Sequence, residues 1–230
     1  MAGTTDPQTI SIKRLAERVH AVARRVGAGQ RYVLGIAGPP AAGKSTFAGK
    51  LCFELNQLEI GVAGVAPMDG FHRTTRNLAE AGELNSKGQP HSFDVGGFVA
   101  SVQALRGPVG EASISWPIYD RTIHDPVPNG VVFDTQKIAV VEGNYLLLDE
   151  PGWSAVRGLL DECWYVDADI SVIERRLYER HIAGGRSSEE ARAKIATSDM
   201  PNARLIAGTA VRADLVLAQH GEVYFIRAPR

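Results

Sequence analysis

The stretch Gly38-Pro39-Pro40-Ala41-Ala42-Gly43-Lys44-Ser45-Thr46 fits the pattern GxxxxGK[ST]. It lies between an apolar run, Tyr32–Ala37, and a helical pattern over about 45–56. A buried strand, a glycine loop and a helix in that order make a cradle for phosphate. Glycines at 38 and 43 let the backbone curl with its N–H groups pointing inward, and the helix start adds partial positive charge. The expected nucleotide contacts are Gly38, Ala41, Ala42, Gly43, Lys44, Ser45 and Thr46. Lys44 can reach the β- and γ-phosphates of ATP, and the Ser45 hydroxyl suits Mg2+.

Outward from this loop, short apolar runs alternate with helical patterns. Tyr32–Ala37, Val62–Ala66, Ile138–Val141, Cys163–Val166 and Leu215–Leu217 read as buried strands. Helical periodicity occupies about 45–56, 94–105, 153–160, 169–183 and 188–211. The expected class is α/β, a P-loop NTPase-type parallel sheet with helices on both faces. Residues 9–27 read as an amphipathic helix capped by Thr9 or Ser11 and closed by Gly27 and Gly29, docked on the domain with a solvated basic face. The stretch 106–130 breaks the rhythm with Pro108, Pro117, Pro126, Pro128 and the turn signal Asn129-Gly130. It reads as an insertion carrying an edge hairpin within one domain spanning 1–230.

Composition narrows the function. A net charge of −1 over 230 residues provides no global field for nucleic acid or anionic membrane, so any polyanion must be held locally. Cys52 and Cys163 form no CxxC, and the histidines show no metal-binding spacing. The longest charge-free run, Tyr32–Gly43, is far short of the ~20 residues of a membrane span. The opening MAGTTDPQTI has neither a basic start nor an apolar core, so a cytoplasmic protein is expected. No NKxD occurs, and the DxxG-like match Asp94–Gly97 opens a helical pattern, which disfavours a GTPase.

Phosphoryl transfer to a small molecule needs a carboxylate near the γ-phosphate and mobile cations above it. Asp69 ends the second strand, where open α/β sheets place ligands, and is either a general base or an Asp-Gly turn residue. Glu142 stands at the tip of a buried strand, placed to bind Mg2+, to orient the acceptor, or to cap the next segment. Asp94 reads as a helix N-cap. Residues 171–192 combine Arg175, Arg176, Arg180, Arg186 and Arg192 with the flexible Gly184-Gly185, a candidate helical lid. Of these, Arg180 and Arg186 are read as catalytic and Arg175 and Arg192 as solvated. His72, Tyr119, Asp120 and Arg121 are candidate acceptor contacts, suited to a polyhydroxylated or anionic molecule. Asn202 either faces the nucleotide base or caps a helix.

These residues resemble a known group. The phosphate loop, Met68-Asp69-Gly70-Phe71, Lys87-Gly88-x-Pro90-x-Ser92-Phe93-Asp94, Pro117-x-Tyr119-Asp120 and Val141-Glu142-Gly143-Asn144 occur in the order seen in the phosphoribulokinase/uridine kinase/pantothenate kinase family. The resemblance implies a five-stranded parallel core, Asp69 as catalytic base, Glu142 near metal and acceptor, and a lid pattern at Arg176, Arg180-His181 and Gly185-Arg186. A homodimer would be unsurprising in such a family. Within it, Asp120-Arg121 stands where pantothenate kinases have Ser-His, and Gly88 where uridine kinases carry an acidic residue. The segment from Met68 to Asp94 looks most like bacterial pantothenate kinase, and a shorter bacterial branch named for sugar or fructose-transport kinases shares the wording around Asp69 and Glu142. The expected activity is ATP-dependent transfer to a hydroxyl of a sugar, a pantothenate-like or a nucleoside-like acceptor. The competing reading is an ATP-binding switch without a small-molecule acceptor.

Overall fold

The computed structural model describes residues 9–27, 29–220 and 223–227. The first eight residues, on which much of the leader reading rests, lie outside the described residues. The strands are β1 (Thr9–Ser11), β2 (Tyr32–Ala37), β3 (Ala63–Pro67), β4 (Ile114–Asp120), β5 (Asp125–Phe133), β6 (Ile138–Gly143), β7 (Glu162–Asp167), β8 (Leu215–His220) and β9 (Val223–Arg227). The helices are α1 (Ile12–Ala23), α2 (Lys44–Leu58), α3 (Thr75–Glu80), α4 (Val95–Leu105), α5 (Ser154–Gly158), α6 (Ile170–Ala183), α7 (Ser188–Lys194) and α8 (Met200–Ala207).

The main sheet has the order β1-β9-β8-β7-β2-β6-β3. Its five strands from β8 to β3 are parallel, and β9 and β1 extend it in antiparallel pairing. The expected parallel core is present, and two short edge strands join it. Alternation along the buried strands sends side chains to two cores. Val33, Ala139, Val141, Cys163 and Tyr165 face one cluster with α4 and α5, while Leu34, Ile36, Ile138, Val140 and Trp164 face the other with α1 and α2. Because both faces are covered, these strands read as continuous apolar runs.

Several boundaries differ from the sequence reading. The expected helix 9–27 begins only at Ile12, because residues 9–11 pair with β9 before Ser11 caps α1. As expected, its apolar face is docked and Lys13, Arg14, Arg18, Arg24 and Arg25 stay exposed, while Arg18 also bonds Glu162 at 2.8 Å and lies over Trp164. The helical stretch 188–211 is broken into α7, a π-helical turn over Ile195–Asp199, and α8.

The insertion also departs from expectation. Its hairpin, β4 and β5, forms a separate two-stranded sheet and is not an edge of the main one. Asn129-Gly130 is not the hairpin turn: the register slips between Trp116 and Ile118, and these residues form an irregular bulge opposite Pro117, which has no N–H to donate. The turn itself lies at 121–124, with His124 in the left-handed region at φ 56°. The hairpin packs on the 3-10 turn Met68–Phe71, where a Cβ on Gly70 would lie 2.1 Å from the Pro117 carbonyl oxygen.

Candidate active site

Sheet register assembles the site. Ile36 of β2 lies beside Glu142 of β6, which lies beside Pro67 of β3. The phosphate loop leaves β2 one residue later and Asp69 follows two residues after Pro67. All three chain ends therefore emerge on the C-terminal edge of the parallel sheet, where such folds bind ligands.

The loop has the backbone that its sequence implies. Gly38, Ala41 and Gly43 have φ of 149°, 61° and 100°. A Cβ at Gly38 would lie 2.4 Å from the Val166 carbonyl oxygen, so only glycine brings the loop so close to β7. Lys44 is buried and donates from Nζ to the Pro39 carbonyl at 2.9 Å. Burial pulls its pKa below the ordinary value, against the upward pull of Glu142 and Asp69, with Arg180 adding to the fall. Ser45 and Thr46 are exposed at the helix start, open to a ligand.

Glu142 is buried, and its Oε1 accepts a hydrogen bond from Ser45 Oγ at 2.9 Å. Burial foremost, and then the charge of Asp69, push its pKa up to about 7, against Lys44, Ser45 and Arg121. A carboxylate so deprived of water gains from a cation. The hydroxyl of Ser45 and the carboxylates of Glu142 and Asp69 are hard oxygen donors, a set that fits Mg2+ held by one or two protein groups and substrate phosphates. Among the described residues no cluster of three or more His, Cys, Asp and Glu forms a dedicated metal cage.

The hairpin and the turn beneath it carry the candidate acceptor contacts. The His72 ring lies 3.9 Å from Phe93 and 4.9 Å from Tyr119 between ring centres, and its Nδ1 is 2.8 Å from the Asp69 carbonyl oxygen. Burial lowers the His72 pKa despite the nearby Asp69 charge, so the ring is neutral at pH 7. Tyr119 donates its hydroxyl to the His124 carbonyl at 2.7 Å, and Asp120 accepts the Thr122 N–H at 2.7 Å. Both polar groups thus serve the turn. Arg121 has no acidic partner among the described residues, yet its charge is felt at Glu142, His72 and Arg180.

Helix α6, the candidate lid, is felt in this cleft through Arg180. Loss of surrounding water lowers the Arg180 pKa most, Arg121 and Arg186 add to the effect, and Asp199 and Asp69 oppose it. Arg180 thus stands in the field of Asp69. Arg186 donates to His181 Nδ1 at 2.8 Å, while His181 Nε2 lies 2.6 Å from Asp199 Oδ2, so Arg186 is parked on the lid.

Three features escaped the sequence reading. Arg176 was visible only as part of the lid pattern, and it donates to the Ala41 and Ala42 carbonyls at 3.2 and 3.4 Å, tying α6 to the phosphate loop. Asn202 lies inside α8 and does not cap it: its Oδ1 accepts the Tyr145 hydroxyl at 2.9 Å and its Nδ2 donates to the Gly88 carbonyl at 3.3 Å. Lys87 donates to Thr75 Oγ1 at 2.8 Å and to the His124 carbonyl, fastening the hairpin turn. Asp94 is the N-cap expected, accepting from the Gly97 N–H at 2.9 Å.

A cradle for phosphates that opens beside paired carboxylates, under a helix of arginines, is built to move a phosphoryl group as well as to hold one. That is the class of P-loop phosphotransferases. The sequence profile of the Phosphoribulokinase / Uridine kinase family matches residues 33–224, and the chain belongs to that family. It is a small-molecule kinase in class, and its phosphate loop is of the ATP-using type. The Escherichia coli protein YggC, itself uncharacterised, is 32% identical over 85% of this chain and 82% of its own. A pantothenate kinase from Corynebacterium diphtheriae is 34% identical over 82% of this chain and 68% of that enzyme. A Silicibacter structure provisionally described as a fructose transport system kinase superposes with a TM-score of 0.81 at 30% identity, covering 90% of this chain and 98% of that one.

Proposed function

We propose that this kinase transfers the γ-phosphoryl group of ATP, with Mg2+, to a hydroxyl of a small molecule that also carries an anionic group. The observation that carries the reading is the Arg121 guanidinium, without an acidic partner among the described residues, whose charge is felt at Glu142 and Arg180 beside the phosphate loop. A cation without an acidic partner beside the reacting centre suits a carboxylate or phosphate on the acceptor.

In this reading the acceptor hydroxyl oxygen attacks the γ-phosphorus in line. The bond from γ-phosphorus to the bridging oxygen breaks, its electron pair leaves with ADP, and the hydroxyl proton passes to the Asp69 carboxylate. Lys44 and the loop N–H groups hold the phosphate oxygens, and Ser45 and Glu142 would hold Mg2+. That ion, when bound, neutralises charge on the β- and γ-oxygens. Arg180 and a released Arg186 close over the transferring group and exclude water. Neutral His72 and the Tyr119 ring form an apolar wall for the acceptor's carbon skeleton.

Measuring ADP release with Mg2+·ATP across pantothenate, nucleosides, hexoses and sugar acids tests the proposal. The expected result is stimulation confined to hydroxylated anions, with the acceptor KM raised about 10-fold or more in Arg121→Gln. Stimulation by neutral sugars or nucleosides alone would remove the anionic assignment. Absence of any acceptor-stimulated turnover would favour the ATP-binding switch.

A further inference from the structure

A groove of about 560 Å3 runs between α6 and the α7–α8 limb, and none of Lys44, Asp69 or Glu142 lines it. Its volume is that of a small-ligand site. Ile195, Ala196 and Met200 give it an apolar floor, and Tyr178 gives it a wall. Three guanidinium groups, from Arg175, Arg192 and Arg204, border it against the single carboxylate of Glu174.

Like Arg121, these arginines lack a close carboxylate partner among the described residues. Elsewhere on the surface Arg18 meets Glu162, Arg73 meets Glu83, Arg157 meets Asp214 and Arg212 meets Asp149. Among the described residues Arg192 and Arg204 meet no carboxylate, and Arg175 meets only Glu179, at 3.9 Å between two exposed side chains. Arg192 lies over the Tyr178 ring at 5.3 Å from its centre, and the Tyr178 hydroxyl donates to Ser188 Oγ at 3.1 Å. The ring and one cation are therefore already held in place. Positive charge above an apolar floor matches a molecule with a phosphoryl end and an apolar or aromatic body.

We propose that this groove is a second, regulatory site that binds a small organic phosphate, independent of the phosphotransfer reading above. The phosphoryl group would sit among Arg175, Arg192 and Arg204, and the body on Ile195 and Met200. Two connections carry its occupancy to the nucleotide. Ile195 and Met200 share a buried cluster with Ala41 of the phosphate loop, and Arg176, next to Arg175 on α6, holds the loop carbonyls. A ligand bridging α6 to α7–α8 would shift the loop's affinity for ATP.

The test uses 1-naphthyl phosphate, followed by its fluorescence, titrated into the full chain with the phosphate loop filled by Mg2+·ADP. Saturable binding is expected, about tenfold tighter than that of inorganic phosphate and weakened about tenfold or more in the Arg192→Glu/Arg204→Glu double variant. The double variant should keep wild-type ADP affinity, which reports an intact fold, and Arg204→Gln should bind with intermediate strength. Saturating probe should change the KM for ATP in the wild type and not in the double variant. No saturable binding, displacement of ADP by the probe, or equal binding by wild type and double variant would overturn the site, and an unchanged KM would overturn its regulatory role.

Discussion

The two walls of the cleft are made differently. The proposed nucleotide wall is the loop between β2 and α2 and the first residues of α2, Gly38 to Thr46, shaped mainly by backbone and with one long side chain, Lys44, which is buried. The acceptor wall is assembled from three distant segments: the turn after β3, residues 87–93, and the hairpin β4–β5. The polar groups of Tyr119, Asp120 and Lys87 are spent holding that wall together. A wall made of backbone leaves little freedom to change what it binds. A wall made of apposed side chains can change what it binds by single substitutions, and Arg121, without an acidic partner among the described residues, is the side chain there to test.

Substitutions can break this contrast from either side. Lys44→Ala should do most damage: it removes a charged hydrogen bond to the nucleotide, worth about 10–100-fold, and transition-state stabilisation of about 10²–10³. Steady-state kinetics should show a fall in kcat/KM for ATP of about 10³–10⁵. The acceptor wall should yield more selectively. Gly70→Ala places a methyl against the Pro117 and Ile118 backbone, so the hairpin must move. Denaturant melts should show a loss of about 1–3 kcal/mol, with a raised acceptor KM and an ATP affinity near wild type.

Glu142 sits where the walls meet, and pH sharpens its place. Its carboxyl binds a proton more tightly folded, at about 7, than its ordinary value of 4.5. Between those values folding takes up a proton, so stability is greatest below the lower one and falls as pH rises through the window. Above pH 7 the ligand-free chain holds a buried charge. Glu142→Gln should flatten the dependence of melting temperature on pH between 5 and 8, gain on the order of 1–3 kcal/mol at pH 8 without Mg2+·ATP, and lose turnover.

The same contrast decided what the sequence could tell. The phosphate loop, the buried strands and the cap at Asp94 are local: spacing of glycine, apolar and capping residues fixes them within a few positions. Asp69 and Glu142 were legible because they end apolar strands, and parallel sheets bring such ends together. The three-residue β1 has no local mark, while β9, Val223-Tyr224-Phe225-Ile226-Arg227, carries β-forming residues whose pairing with β1 and β8 follows only from the fold. Asn129-Gly130 carries a hairpin signal, yet Pro117 across the ladder made it a bulge and moved the turn to 121–124. Asn202 stays open in the sequence because its partners, Tyr145 and Gly88, lie far away in the chain, and the contact of Arg186, in the loop after α6, with His181 on that helix is likewise set by packing.

Asp69→Asn tests the central claim most directly, since Asp69 is where an acceptor held by one wall would surrender its proton beside a phosphate held by the other. ATP affinity should be measured by equilibrium binding and phosphoryl transfer by ADP release with the best acceptor of the panel. The expected result is ATP affinity close to wild type with turnover lowered about 10²–10⁴-fold. Wild-type turnover in that variant would contradict the account.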